Sequence, residues 1–257
     1  MITAIRSVIT YLVLALYILL VGPPFVLLAL VLGNHTLLYR VGHAGVRLGM
    51  FLSGITCTIE GAEHIQRGRA AVYAVNHASN VEPPLIFHTL QELFPKLRIV
   101  YKAELRKLPV LVQAFDLVGF VPLQRGNPEQ SLPAIEGAAR ALREGASFLI
   151  FPEGTRSRTG ELLPFKKGGF VMALKAQAPV VPVAISGARL AMRKGSLLIH
   201  PVQVRVRLGD PVETAGLSLD DRDLLAATVR RRVQALLAED GDPAPHEPAQ
   251  PASRSDL

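Results

Sequence analysis

The chain has 257 residues, 49% of them hydrophobic, and 28 Lys and Arg against 21 Asp and Glu give it a net charge of +7. That length accommodates one sizeable domain with extra segments, and the apolar excess points to contact with lipid. A single cysteine, Cys57, excludes an intramolecular disulfide framework and a cysteine-based metal cluster, and reads as a small core residue. The positive charge suits anionic lipid surfaces, phosphorylated small molecules or nucleic acid. Nucleic acid is the weakest of these, because the basic residues are scattered singly, Trp is absent and no recognition-helix or RNP-like pattern occurs.

Residues 8–33, "VITYLVLALYILLVGPPFVLLALVLG", carry no charge and are long enough to cross a hydrocarbon core of about 30 Å. Gly22-Pro23-Pro24 falls in the middle and predicts a broken helix whose two arms are each too short to span. A re-entrant hairpin resting in one leaflet fits better than a straight span, and a cleaved signal peptide fits worse because the apolar run is too long. In the following "LLYRVGHAGVRLGMFLSG", Arg40, His43 and Arg47 share one side at helical spacing, which describes a helix in a membrane interface or a core helix with a polar edge. Residues 1–53 are therefore read as a membrane-associating helical segment.

Residues 54–239 change character, with short β-branched runs alternating with helical stretches. "TCTIEG", "AAVYAV", "LRIVYK", "LVGFVPL", "SFLIFPEG", "VVPVAISG", "SLLIHP" and "VQVRVRLGD" read as strands. Asn127-Pro128 predicts the start of a helix that reaches Arg143 and closes at Gly145, and a second helix fits 169–178. Ser218 with Asp221 at the third helical position predicts a capped final helix. Strands separated by helices give an α/β domain with a largely parallel mixed sheet flanked by helices. Residues 240–257, rich in Pro and Ala without apolar periodicity, read as a disordered tail, and no internal repeat is visible.

Two polar stretches follow predicted strands. "NHASNVEPP" places His77 five positions before Glu82, ahead of the proline pair that starts a helix; the spacing alone is close to chance. "IFPEGTRS" adds parts suited to an anion at a strand's carboxyl end. Gly154 lets backbone amides approach a ligand, Thr155 offers a hydroxyl, and Arg156 offers a fixed guanidinium fork.

Together and in this order, these stretches resemble the blocks of the glycerophospholipid acyltransferases, specifically the 1-acylglycerol-3-phosphate (lysophosphatidic acid) acyltransferase family. Asn-His-x-Ser-x-x-Asp corresponds to residues 76–82, with Glu82 in place of the usual Asp. A Gly followed six residues later by Arg fits Gly119 and Arg125; Phe-Pro-Glu-Gly-Thr-Arg-Ser is identical at 151–157, with "FKKG" at 165–168. Val-Pro-[Val/Ile] is Val181-Pro182-Val183, and "YKAEL" at 101–105 also looks like the family.

The resemblance implies an acyltransferase-type domain and transfer of an acyl group from a thioester to the sn-2 hydroxyl of 1-acylglycerol-3-phosphate, forming phosphatidic acid. His77 would be the general base, with Glu82 holding its tautomer. Arg125, Glu153, Gly154, Thr155 and Arg156 would bind the acceptor, with charge from Lys102, Lys166 and Lys167. No metal or cofactor is implied; the co-substrate is acyl-CoA or an acyl carrier protein thioester. The expected partners are membrane lipids, the lysophospholipid acceptor and that donor, without nucleic acid, on the cytoplasmic face of the inner (plasma) membrane. Alternatives are the same chemistry on another lyso-lipid, such as a lyso-ornithine lipid, or a non-catalytic membrane-binding homologue.

Overall fold

A computed structural model describes residues 1–108, 110–124 and 128–239 of the chain. Among the described residues, seven strands form one sheet in the order β1-β7-β6-β2-β5-β3-β4, every neighbouring pair parallel except β6 with β7. The strands are β1 (Thr56–Glu60), β2 (Val72–Val75), β3 (Leu97–Lys102), β4 (Val121–Leu123), β5 (Ser147–Ile150), β6 (Val180–Ser186) and β7 (Gln203–Leu208). The central strands β2 and β5 are buried at every residue, which is why they read as unbroken apolar runs rather than as alternating ones.

Helices cover both faces: α1 (Ile2–Leu32), α2 (Thr36–Ser53), α3 (Glu82–Thr89), α4 (Leu111–Leu117), α5 (Pro128–Arg143), α6 (Gly168–Ala176), the short α7 (Ala188–Ala191) and α8 (Arg222–Ala238). Side-chain alternation along β2 divides the core. Tyr73 and Val75 join Tyr39 of α2 and Leu85, Ile86 and Phe87 of α3, whereas Val72 and Ala74 join Phe170 of α6 and Val229 and Val233 of α8. The predicted cap of the last helix is present: Ser218 and Asp221 satisfy each other's backbone amides. Gly145, at φ 95°, closes α5, while Asn127 and the tail at 240–257 lie outside the described residues.

Two expectations are corrected. The first concerns the break at Gly22-Pro23-Pro24: α1 runs through it as one helix, and the chain turns back only at Gly33, whose left-handed backbone (φ 61°) caps the helix. Prolines at these positions cannot donate to the carbonyls of Leu19 and Leu20, a cost of about 3 kcal/mol in an isolated helix. Tertiary packing holds the stretch straight enough to continue. A Cβ on Gly22 would lie 2.6 Å from Val110, so the helix is pressed against the segment leading into α4, and α2 returns antiparallel along its other side. Gly45 and Gly49 of α2 bring the two helices close, facing Tyr17 and Leu14.

The second correction is "SLLIHP", which is a loop and not a strand. Its Ile199 amide donates to Ser7 Oγ of α1 at 2.8 Å and its His200 amide donates to the Ala191 carbonyl, so its backbone groups bond outside any sheet ladder. On α2, Arg40 and Arg47 are exposed while His43 is half-buried, its Nε2 2.7 Å from His88 Nδ1 of α3.

Candidate active site

In a parallel sheet the loops after the strands gather at one edge. β2 and β5 are neighbours, so the loops carrying "NHASN" and "FPEGTRS" emerge side by side. Asn76 extends the sheet with its side chain: Nδ2 donates to the Ile185 carbonyl at 3.0 Å, and the Ile185 amide donates to Oδ1 at 2.8 Å. That side chain takes the place of a ladder residue beside β6 and fixes where the next residue starts.

The next residue is His77, 8% exposed, and both of its backbone groups are taken by the second loop. Its amide donates to Glu153 Oε1 at 2.5 Å, and its carbonyl accepts from the Ser157 amide at 2.7 Å. The imidazole lies on the Phe151 ring at a centroid distance of 4.4 Å. Its Nδ1 meets Glu82 Oε2 at 2.7 Å. Glu82 is the first residue of α3, followed by the two prolines that the helix's first turn tolerates because their missing amides have no helical partner there. The longer acid closes the pair because His77 sits in the loop, outside the helix.

Glu82 is fully buried, and the Ala78 amide approaches both of its oxygens, at 3.0 and 2.9 Å. Burial pushes its carboxyl up to about 8, against the pull of the Ala78 and Ser79 amides and the positive charge of Arg156. When Glu82 is ionised its oxygens only accept, from the Ala78 amide and from His77 Nδ1–H, and the lone pair then lies on Nε2. Ser79, also fully buried, donates to the Met192 carbonyl at 2.8 Å and ties this loop to the segment after β6.

Glu153, which the resemblance assigns to the acceptor site, is turned toward the neighbouring loop. It is 3% exposed, and its second oxygen accepts from the Leu163 amide at 3.0 Å, so both oxygens hold backbone. Burial raises its carboxyl to about 7, the nearby Glu82 charge adding to the effect and the His77 and Leu163 amides opposing it. Its carboxylate joins the two loops. Gly154 has the left-handed backbone (φ 68°) that glycine adopts without strain, and Lys166 lies across it, with Cε 2.8 Å from where a Cβ would stand.

Thr155 is exposed and Arg156 half-buried in the same loop. Lys194 holds both, donating from Nζ to Thr155 Oγ1 at 3.2 Å and to the Arg156 carbonyl at 2.7 Å. Nothing in the sequence marks Lys194: it stands in "AMRKGS", beyond the last recognisable block. Lys167 turns away to pair with Asp223 of α8 at 2.7 Å. Lys102 ends β3, beside β5, and pairs with Glu104 at 3.1 Å. Arg125 lies outside the described residues.

Beside this edge, a cavity of about 550 Å³ runs between the α1–α2 hairpin and the domain, reaching Val81, Pro83 and Pro84 on either side of Glu82. Its walls are apolar even where hydroxyls occur. Thr10, Tyr17, Tyr39 and Ser53 each donate to a backbone carbonyl and present carbon to the interior.

The fold and the sequence both resemble those of known proteins. The crystal structure of the 1-acyl-sn-glycerophosphate (LPA) acyltransferase PlsC from Thermotoga maritima superposes with a TM-score of 0.75 at 26% identity, covering 92% of this chain and 97% of that one. A 1-acyl-sn-glycerol-3-phosphate acyltransferase of Cocos nucifera is 39% identical over 175 residues, 67% of this chain and 55% of the relative. The human 1-acyl-sn-glycerol-3-phosphate acyltransferase alpha is 30% identical over 190 residues, 74% of this chain and 66% of the relative. The chain thus spans little more than half the length of the coconut protein. The model of the family described as Acyltransferase matches residues 56–186, which contain every element of the buried pair and its clamp and make up more than half of the sequence, so the chain belongs to the acyltransferase family.

Proposed function

We propose that the chain transfers an acyl group from an acyl thioester to the sn-2 hydroxyl of 1-acylglycerol-3-phosphate, giving phosphatidic acid. The observation that carries this reading is the buried His77–Glu82 pair, with His77 clamped through its own backbone by Glu153 and Ser157. A thioester is already activated, so the protein's task is to turn an alcohol into a nucleophile near neutral pH. Glu82 holds the Nδ1–H tautomer, Nε2 takes the hydroxyl proton as oxygen attacks the carbonyl, and collapse of the tetrahedral intermediate releases the thiolate, which receives that proton. The transfer needs no metal or redox group. The names of the coconut, human and Thermotoga maritima relatives support this acceptor.

The acceptor phosphate falls to Arg156, with Lys166 beside it on Gly154, and to Arg125 and Lys102 by resemblance. Acyl-CoA or an acyl carrier protein supplies the thioester. The apolar cavity takes a hydrocarbon chain, since it opens next to Glu82 and offers no unpaired hydroxyl. The α1–α2 hairpin seats the protein in one leaflet, on the cytoplasmic face. Between Ser7, bonded to Ile199, and Gly22, pressed on Val110, α1 lies along the domain for about 22 Å at 1.5 Å per residue, which supports a helix that stays with the domain although it is long and apolar enough to cross a bilayer. Its outward apolar side chains then face acyl chains.

The test is a panel of lysophospholipid acceptors in mixed vesicles with labelled acyl-CoA and labelled acyl carrier protein. The expected result is fastest turnover of lysophosphatidic acid. Faster turnover of an acceptor without the phosphomonoester would replace this substrate by another lyso-lipid, and no turnover with any pair would leave a membrane-binding homologue.

A further inference from the structure

The loop that was expected to be a strand leaves an unexplained surface. Around it, Leu190, Leu197 and Leu198 are 58%, 77% and 42% exposed, interleaved with Arg189, Arg193 and Lys194. No Asp or Glu occurs between Glu161 and Asp210. Exposed leucines set among cations, with no acid in the stretch, match what an anionic lipid surface binds: apolar tips for the acyl boundary and basic side chains for headgroups.

The loop is fastened at both ends of its reach. On one side it docks on α1: Ile199 N–H bonds to Ser7 Oγ, and the Tyr11 hydroxyl donates to the Leu197 carbonyl at 2.9 Å. Leu197 and Leu198 thereby continue the apolar surface of Val8 and Leu12, themselves 55% and 59% exposed. On the other side it grips the catalytic loops, through Lys194 on Thr155 and Arg156, Arg189 Nε on the Arg158 carbonyl at 3.1 Å, and Ser79 on Met192.

We propose that residues 189–198 form a second membrane-contacting element, which dips Leu197 and Leu198 into the leaflet that holds the α1–α2 hairpin and sets Arg189, Arg193 and Lys194 among anionic headgroups. The loop that carries Thr155 and Arg156 is then held at the lipid surface by Lys194, so an acceptor enters from the leaflet with its headgroup already at that depth. Charge complementarity and continuity with the outward face of α1 select lipid over a protein partner. The proposal rests on the reading that the hairpin lies in a leaflet.

Because the chain has no Trp, a single tryptophan reports one position. Leu197→Trp, Leu20→Trp in α1 and Leu224→Trp in α8 occupy exposed sites, the last on the opposite face of the sheet. Each full-length variant is reconstituted in phosphatidylcholine vesicles with and without phosphatidylglycerol, using lipids brominated near the top of the acyl chain. The expected result is blue-shifted, quenched emission for Leu197→Trp and Leu20→Trp, with Leu197 quenched more in phosphatidylglycerol vesicles, and unshifted emission for Leu224→Trp. Quenching of Leu20→Trp without Leu197→Trp would overturn the second contact and leave the hairpin reading standing. Quenching of neither would remove both. A Leu197→Trp shift caused by acyl carrier protein without vesicles, absent brominated-lipid quenching, would assign the face to a protein donor instead.

Discussion

The loops after β2 and β5 and the α1–α2 hairpin deal with exposure in opposite ways. In the loops, three polar or charged groups are sealed from water and each is met by a specific partner: Asn76 by Ile185, Glu153 by His77 and Leu163, Glu82 by His77 and Ala78. In the hairpin, apolar groups face outward, with Leu19, Leu20 and Leu27 between 59% and 70% exposed, and only a few side chains such as Ser7 and Tyr17 make specific bonds. Changing a loop group should therefore be costly and specific to chemistry, because an orphaned buried group has no water to replace its partner. Changing the hairpin should be mild and specific to lipid.

The largest effect belongs to Glu82. Glu82→Gln removes the charge that holds the Nδ1–H tautomer and should lower kcat by about 10²- to 10⁴-fold with the acceptor KM little changed. Glu82→Asp, which keeps the charge, should recover much of the loss in steady-state kinetics. Only the ionised carboxyl supports a basic Nε2, and burial raises it, so kcat/KM should climb with pH along an acid limb whose midpoint lies above the ordinary carboxylate range, toward about 8. A limb at 4 to 5 units of pH, as for an exposed carboxylate of about that pKa, would contradict burial as the controlling term.

Arg156→Ala comes next, with the acceptor KM rising about 10- to 100-fold, the equivalent of a charge-assisted contact. Its positive charge also favours ionised Glu82, so the same variant should move the acid limb to higher pH. A rise in the donor's KM alone would place Arg156 on the thioester. Glu153→Gln leaves an amide NH₂ facing one of two backbone N–H groups and should cost about 1–3 kcal/mol in denaturant unfolding. Its kcat should fall because His77 loses its anchor, and retention of wild-type stability would show that the clamp contributes little. In the hairpin, Gly45→Leu would overlap Tyr17, which approaches to 2.9 Å, and should cost about 1–3 kcal/mol by overpacking. Turnover should fall more for long acyl chains than for short ones, because Tyr17 lines the cavity. Ser7→Ala is the mildest, at about 1 kcal/mol.

The same contrast explains what could be read in the sequence. The sheet was legible because β2, β5 and β6 are buried along nearly their whole length, and the site was legible because its residues lie within short, contiguous blocks at strand ends. Long-range partners left no local trace. Nothing in "FPEGTRS" tells that the Glu153 oxygens hold His77 and Leu163, and Lys194 is an ordinary lysine until its loop folds onto Thr155. The error at Gly22-Pro23-Pro24 has the same origin. Local propensity favours a break there, and packing against Val110 and α2 overrides it. "SLLIHP" carries the composition of a strand, but its amides bond to α1 and to Ala191.

His77 is the residue on which acyl transfer by this chain depends most directly. Wild-type chain and His77→Ala, reconstituted in vesicles with lysophosphatidic acid and an acyl thioester, are compared for phosphatidic acid formation and for unfolding midpoint. Wild type should form phosphatidic acid, and His77→Ala should form it at least about 10²-fold more slowly with its fold retained. A folded His77→Ala protein that turns over at the wild-type rate would contradict the assignment of the buried pair as the base.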